Sequence, residues 1–310
     1  GVSPGGGLLR AGMAARSRRT AHASGRADAR PARRVMGEEG VVPASPPRLR
    51  SSGCDLVGGK MLALLLLLLP LAGQAAWQVS TIAGSGSVGH MDGFGTSAVL
   101  GGPEGLAMDS DENTVYFADG GGGAQPAVRS LTLSTKRVRT VAALPAGSCP
   151  AGVASSGGVV WVADRCRHVL LHLVPPSEVG ASANVTSVAG SPGVAGHQEG
   201  ALALFDAPGG LAVSGDGGVV WIADRNNKRV RIWQAGAATA STLVGTGAGV
   251  AADGDSAAAD VGDPVDVALS ANGLLLYVVD GDSVRAVSLT PQGFGGYGGV
   301  RTLVTSTALL

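Results

Sequence analysis

Few side chains in this sequence are spaced to do chemistry. The histidines are His22, His90, His168, His172 and His197, and only His168 and His172 are close. Four residues along an extended strand is about 13 Å, too far for two ligands of one zinc ion. Cys54, Cys149 and Cys166 form no paired-cysteine zinc motif, and neither a Gly-x-Ser-x-Gly elbow nor a phosphate loop occurs. Asp253-Gly254-Asp255 and Asp280-Gly281-Asp282 bring carboxylates together. They lack the spaced oxygens and closing glutamate of a calcium loop. No catalytic residue, metal ligand or cofactor is therefore expected. Arg225, Lys228, Arg229 and Arg231 form a basic cluster, read either as an anion-binding patch or as a solvated outer strand.

The elements that must carry these residues repeat. A proline, a small apolar run, a turn, an aromatic, two apolar residues and an aspartate recur four times. The prolines are Pro103, Pro150, Pro208 and Pro264, and the aspartates Asp119, Asp164, Asp224 and Asp280. Three positions before each aspartate stands Tyr116, Trp161, Trp221 or Tyr277. The residues between are apolar whichever way they point, which suits a strand covered on both faces. After Asp224 the third copy turns through Arg225-Asn226-Asn227-Lys228 and then alternates charged and apolar residues, predicting a half-exposed strand. Thr81–Gly84, Thr140–Ala142, Ser187–Gly190, Thr242–Gly245 and Thr302–Val304 read as a fourth type of strand. Each unit is thus a four-stranded meander. Recurrence at this spacing marks a propeller or another repeat architecture.

The third copy, Pro208-Gly209-Gly210-Leu211-Ala212-Val213 followed by Ala223-Asp224-Arg225-Asn226-Asn227-Lys228-Arg229-Val230-Arg231-Ile232, resembles the NHL repeat. The resemblance runs from Val79 to about Ser306. It weakens in the fourth copy, where Val279-Asp280-Gly281-Asp282 shortens the turn and lacks the asparagine. It implies an all-β propeller of four-stranded antiparallel blades at about 103–144, 150–190, 208–246 and 264–305. Glycine, 51 of 310 residues, exceeds its ordinary share of about 7%, as many turns require. Such families usually close with about six blades. Four complete units and one stray fourth-type strand leave two open edges, so the reading is an incomplete ring from a fragment or truncated gene model. A compact four-bladed ring is the alternative.

The ends carry other signals. Residues 1–60 hold eleven Lys or Arg against four acidic residues, with Pro, Ser, Gly and Ala and no apolar period. They read as a disordered basic leader or upstream sequence, with an organelle transit peptide as a lesser reading. Residues 61–75 contain an apolar run too short to span a bilayer but suited to a secretory signal cleaved after Ala75. Left uncleaved, residues 61–72 would be a marginal membrane anchor. Residues 76–310 are then the propeller, acidic by nineteen to twelve, which argues against nucleic acid as a partner.

In a propeller the loop into the innermost strand and the turn between the second and third strands open on one face. Cys149 and Cys166 fall on those two segments and are expected to pair, the alternative being two unrelated thiols. Asn184-Val185-Thr186 is a glycosylation sequon that gains meaning only with secretion. The repeated aspartates read as structural acceptors of turn N–H groups. Among the relatives the resemblance brings in are a lyase with histidine-held zinc and lactonases with a metal in the central channel. Here Glu104, Ala151, Gly209 and Val265 follow the prolines, and Asp266 adds one carboxylate, too thin a set for such a site. The expected function is a non-catalytic scaffold, secreted or membrane-anchored, that binds a protein or glycan. Its turn face would use Glu104, Arg165, Arg225, Asn226 and Asp266. A propeller hydrolase or lyase is the first alternative, an RNA-binding propeller the second.

Overall fold

The computed structural model describes residues 78–306, apart from positions 121, 179, 257, 294 and 295. The basic leader, the apolar run of residues 61–75, His22 and Cys54 lie outside the described residues.

Seventeen short strands and one 3-10 turn make up the described chain. Blade 1 contains β1 (Gly93–Phe94), β2 (Pro103–Met108), β3 (Thr114–Asp119), β4 (Ala127–Thr132) and β5 (Arg137–Ala143). In blade 2 the strands are β6 (Pro150–Ser156), β7 (Val159–Asp164), β8 (Val169–Leu173) and β9 (Val185–Ala189). Blade 3 is built of β10 (Pro208–Val213), β11 (Val219–Asp224), β12 (Arg229–Gln234) and β13 (Thr239–Val244). Blade 4 follows with β14 (Pro264–Leu269), β15 (Leu275–Asp280), β16 (Ser283–Ser288) and β17 (Val300–Thr305). Each sheet is an antiparallel meander, and β1 adds a short fifth strand beside β5.

Register makes the four copies equivalent. Each repeat aromatic sits opposite an alanine of the innermost strand: Tyr116 with Ala107, Trp161 with Ala154, Trp221 with Ala212 and Tyr277 with Ala268. Every innermost strand has its irregularity just after the proline. Proline has no N–H to give a ladder, so a strand start is a position it tolerates. The β2, β6, β10 and β14 strands pack side by side in that order.

Three cores lie between consecutive blades. Tyr116, Ala118 and Val128 of blade 1 meet Val153, Val160, Val162 and Leu171 of blade 2. Across the next junction Trp161, Ala163 and Leu170 meet Leu211, Val220, Ile222 and Trp233. The last joins Trp221, Ala223 and Ile232 to Val267, Leu276, Val278 and Val287. Sheets stacked face on face around a shared axis are the packing of a propeller, so the fold is all-β, and its blades form an open arc.

Two expectations change. Thr81–Gly84 is not a strand, and Val79 and Ile82 stand exposed. The β12 strand is not half-exposed: Val230, Arg231, Ile232 and Trp233 are all buried. Alternation of charge reads as one wet face only when nothing covers that face, and here a connecting loop does.

Candidate functional site

The aspartates that end the second strands are fully buried, and what they hold is the loop entering their blade. Asp119 Oδ1 accepts the Gly101 N–H, Asp224 Oδ1 that of Asp206, and Asp280 Oδ1 those of Gly262 and Asp263. Asp164 Oδ1 accepts the N–H groups of Cys149 and, within its own turn, Arg167. The expected bond to the aspartate's own turn is thus present in blade 2, and the bond to the entering loop is common to all four.

In three blades the other carboxylate oxygen meets a buried arginine from the third strand. Arg129 reaches Asp119 at 3.0 Å, Arg231 reaches Asp224 at 3.0 Å and Arg285 reaches Asp280 at 2.9 Å. Each guanidinium then grips the preceding loop, donating to the carbonyls of Val99 and Met91, of Leu204 and Gln198, or of Asp260. A loop acid completes each relay. Asp92 lies 3.0 Å from Arg129, Glu199 3.3 Å from Arg231 and Asp253 2.8 Å from Arg285. The same acids accept the hydroxyls of Thr140, Thr242 and Thr302 on the fourth strands, at 2.9, 2.6 and 2.9 Å. Partial burial alone would push these acids up in pKa. Bonds from the threonines, together with the arginine charge, outweigh it and hold all three below their ordinary values.

Blade 2 is built differently. Leu171 takes the arginine position, Ser187 stands where the threonines do, and Asp164 Oδ2 is buried without a partner. In place of the relay, Cys149 and Cys166 are joined as a disulfide with their Cα atoms 5.2 Å apart. That bond ties the entering loop to the turn that follows Asp164, the connection the other blades make through charge. Closing a 17-residue separation contributes about 3 kcal/mol in the chain-entropy model.

The turn face carries the other predicted residues, mostly in cross-blade ion pairs. Glu104 of blade 1 meets Arg165 of blade 2 at 2.8 Å, both partly exposed. Arg225 of blade 3 forms a two-pronged pair with Asp263 before blade 4, at 3.1 Å for each contact, and Lys228 joins at 3.2 Å. Asp263 hydrogen-bonds to Arg225 and is held below its ordinary pKa, and Arg225 is raised in turn. Asn226 is exposed and donates to Asp206. Arg229 donates to the carbonyls of Asn227 and Thr246. The basic cluster is therefore no free anion patch: Arg231 is buried in its relay and the other three are engaged at the rim.

The central channel is about 540 Å³ and is lined by residues 105–108, 152–155, 211–213 and 266–269 of the four innermost strands. Among the described residues Asp266 is its one ionisable side chain, and enclosure raises its pKa. Glu104 is not part of that lining. Among the described residues no three His, Cys, Asp or Glu side chains gather closely enough to hold a metal. Three histidines serve local structure. His90 bonds the Thr140 hydroxyl at 3.0 Å, His197 lies 3.1 Å from Glu199, and His168 accepts the Ala207 N–H. His172 packs against Trp161, and burial lowers its pKa. Asp253 and Asp280, half of each Asp-Gly-Asp pair, belong to the blade 4 relay. Asn184 is exposed just before β9.

The relay arginines were missed in the sequence although a signal was there. Val128-Arg129, Val230-Arg231 and Val284-Arg285 recur after three of the four aspartates, and an acid-glycine pair, Asp92-Gly93, Glu199-Gly200 or Asp253-Gly254, precedes each of those blades.

Residues 205–233, from the loop entering blade 3 to the end of its third strand, match the family model described as NHL repeat. The chain carries an NHL repeat. The repeat includes Asp224, Arg231 and the turn between them. No curated protein matches the chain. A solved chain of the nidogen/laminin complex is 15% identical, over 65% of this chain and 64% of that one, at a TM-score of 0.46. A gluconolactonase from Xanthomonas campestris is 15% identical over 64% and 59%, at 0.44. An auxiliary nutrient binding protein from Bacteroides ovatus is 14% identical over 67% and 49%, at 0.47. The chain spans less than two thirds of the length of each, and at these identities the likeness is one of fold alone. Among the described residues no helix is long and apolar enough to cross a membrane.

Proposed function

We propose that this chain is a non-catalytic propeller of the secretory or extracellular space, a rigid scaffold that binds a protein or glycan through its turn face. The supporting observation is a contrast between two surfaces. Glu104 and Asn226 are exposed and Arg165 and Arg225 half-exposed on one face, with both signs of charge, whereas among the described residues the channel offers a single carboxylate, Asp266. Hydrolysis in such a channel calls for several converging acids, amides or histidines. Fold by itself would not separate the two readings.

Placement outside the cytosol is supported by the disulfide, since such bonds persist in oxidising compartments. In this reading residues 61–75 are a cleaved signal, or an anchor through residues 61–72 if uncleaved, residues 1–60 a leader, and Asn184 a glycan acceptor. The acidic body leaves nucleic acid outside the set of partners.

The test is a panel of immobilised glycans and extracellular-matrix proteins probed with the wild-type chain and with a Glu104→Lys/Arg225→Glu variant. Binding that falls at least about tenfold in the variant, and is unchanged in Arg137→Glu on the outer edge, is the expected result. Equal binding by all three chains would remove the turn face from the proposal. Turnover of a lactone or ester panel, lost in Asp266→Asn, would move the protein to the hydrolase reading.

A further inference from the structure

The junction between blades 2 and 3 departs from the other two. On β8 His172 stands opposite the repeat aromatic Trp161, where blades 1, 3 and 4 place Ser130, Ile232 and Ala286. On β12 Trp233 stands opposite Val220, where the other blades place Leu131, Leu173 and Val287. Both departures put a ring into the same cleft. The Trp161 ring centre lies 4.6 Å from that of His172 and 5.0 Å from that of Trp233, with tilts of 58° and 54°. Leucine or valine fills the Trp233 position in the other three blades, so packing alone does not call for an indole there.

The three rings wall a cavity of about 320 Å³. Gly157 of the β6–β7 turn and Asp216 and Gly217 of the β10–β11 turn line it at the end of the blades away from the turn face. Ser156 Oγ, at the end of β6, donates to the Gly215 carbonyl at 2.9 Å and ties these two connections together. Asp216 is the one acid or base besides His172 among the described residues of the lining. Bonds from the Ser214 hydroxyl and the Gly218 N–H hold its carboxyl below the ordinary value, so it is ionised at neutral pH. Burial lowers His172, which is uncharged there. Arg231, two residues before Trp233, is already matched by Asp224 and Glu199.

We propose that this cavity is a binding site for an organic cation, an alkylammonium group carried by a small amine or by a lysine of a partner protein. Ring faces attract cations through their quadrupole, indole most strongly, and Asp216 adds the counter-charge. An anion would be repelled by that carboxylate, and a neutral guest would gain nothing from it. Trp161 and Trp233 are 3% and 4% exposed, so the core fixes both rings before a guest arrives and little side-chain order is lost on binding. The site lies between two complete blades and shares no residue with the turn face or the channel, so it stands apart from the scaffold reading.

The test titrates n-butylammonium chloride into the 310-residue chain, against matched sodium chloride, and follows the His172 ring protons by NMR. Saturable shifts, with the neutral isostere 1-butanol at least about tenfold weaker, are the expected result. Asp216→Asn, on an exposed turn, should weaken n-butylammonium at least about fivefold, and Trp233→Leu, which installs the residue type of blade 2, at least about tenfold. Circular dichroism should match wild type in both; Trp233→Phe repeats the second arm, with a smaller loss, should Trp233→Leu unfold. An end-capped lysine titrated in parallel separates the two sources. Tighter binding than n-butylammonium assigns the site to a partner's lysine and weaker binding to a small amine, and either supports the cation site. Equal binding of 1-butanol, saturation by methyl glucoside in place of the amine, or affinity unchanged in Asp216→Asn and in the Trp233 variant would overturn the proposal. So would the absence of saturable shifts up to about 100 mM n-butylammonium.

Discussion

Arg231 is the residue whose role the sequence conceals most. Flanked by Val230 and Ile232, it reads as the wet half of an alternating strand, yet it is fully buried against Asp224. Removing one partner of a buried pair strands the other charge, a loss of about 3–5 kcal/mol. Arg231→Leu should therefore destabilise strongly, although blade 2 carries a leucine at the same position, Leu171, without harm. The difference is that blade 2 was built around that leucine: Asp164 is held by two backbone N–H groups and by the neighbouring disulfide. Asp164→Asn keeps the Oδ1 acceptor and gives up no arginine, and should cost no more than about 1 kcal/mol. Urea midpoints of the two variants measure the contrast. An Arg231→Leu loss of no more than about 1 kcal/mol would mean that the buried pair adds little to its blade.

The connecting loops show how far sequence reading reached at the scale of elements. Strand order, blade number and the aromatic register were legible, because four copies in register expose what a single strand would leave ambiguous between helix and sheet. The loops were not, since Asp92, Glu199 and Asp253 act across 37, 32 and 32 residues, on arginines in later strands. Their titration gives a measurable consequence. A carboxyl held below its unfolded pKa stabilises the fold above that range, and the contribution is lost as pH falls through it. Stability should stay level from neutral to about pH 5 and drop below about pH 4. Asp224, which burial raises, acts with the opposite sign and would soften the drop. An Asp92→Asn/Glu199→Gln/Asp253→Asn chain should be weaker at neutral pH and show a flatter acid limb in urea midpoints taken across pH. An acid limb as steep as wild type's would assign the loss to other carboxylates, such as Asp263.

For the molecule as a whole, the packing of the innermost strands against one another sets what the channel can be. The glycine two positions after each of the first three prolines answers to this, and its reason lies outside its own blade. A Cβ on Gly105 would fall 2.2 Å from the Ala151 carbonyl oxygen, one on Gly152 2.4 Å from that of Gly209, and one on Gly210 2.6 Å from the Asp266 Cα. All three obstacles include backbone of the next blade, which cannot swing aside as a side chain can. Adding one methyl at Gly152 must therefore push blade 2 from blade 3 and open the core that Trp161 and Trp233 share. Overpacking of this kind costs about 1–3 kcal/mol, and more where backbone must move. Gly236→Ala is the matched control, since nothing lies within 4 Å of its Cβ position. In thermal melts followed by tryptophan fluorescence, Gly152→Ala should lower the midpoint by several degrees and red-shift the folded emission as water reaches the indoles, with Gly236→Ala tracking wild type. Were Gly152→Ala to melt and emit as wild type does, the blades would be free to slide apart at no cost, and a rigid four-bladed arc could not be the frame that holds the turn face in place.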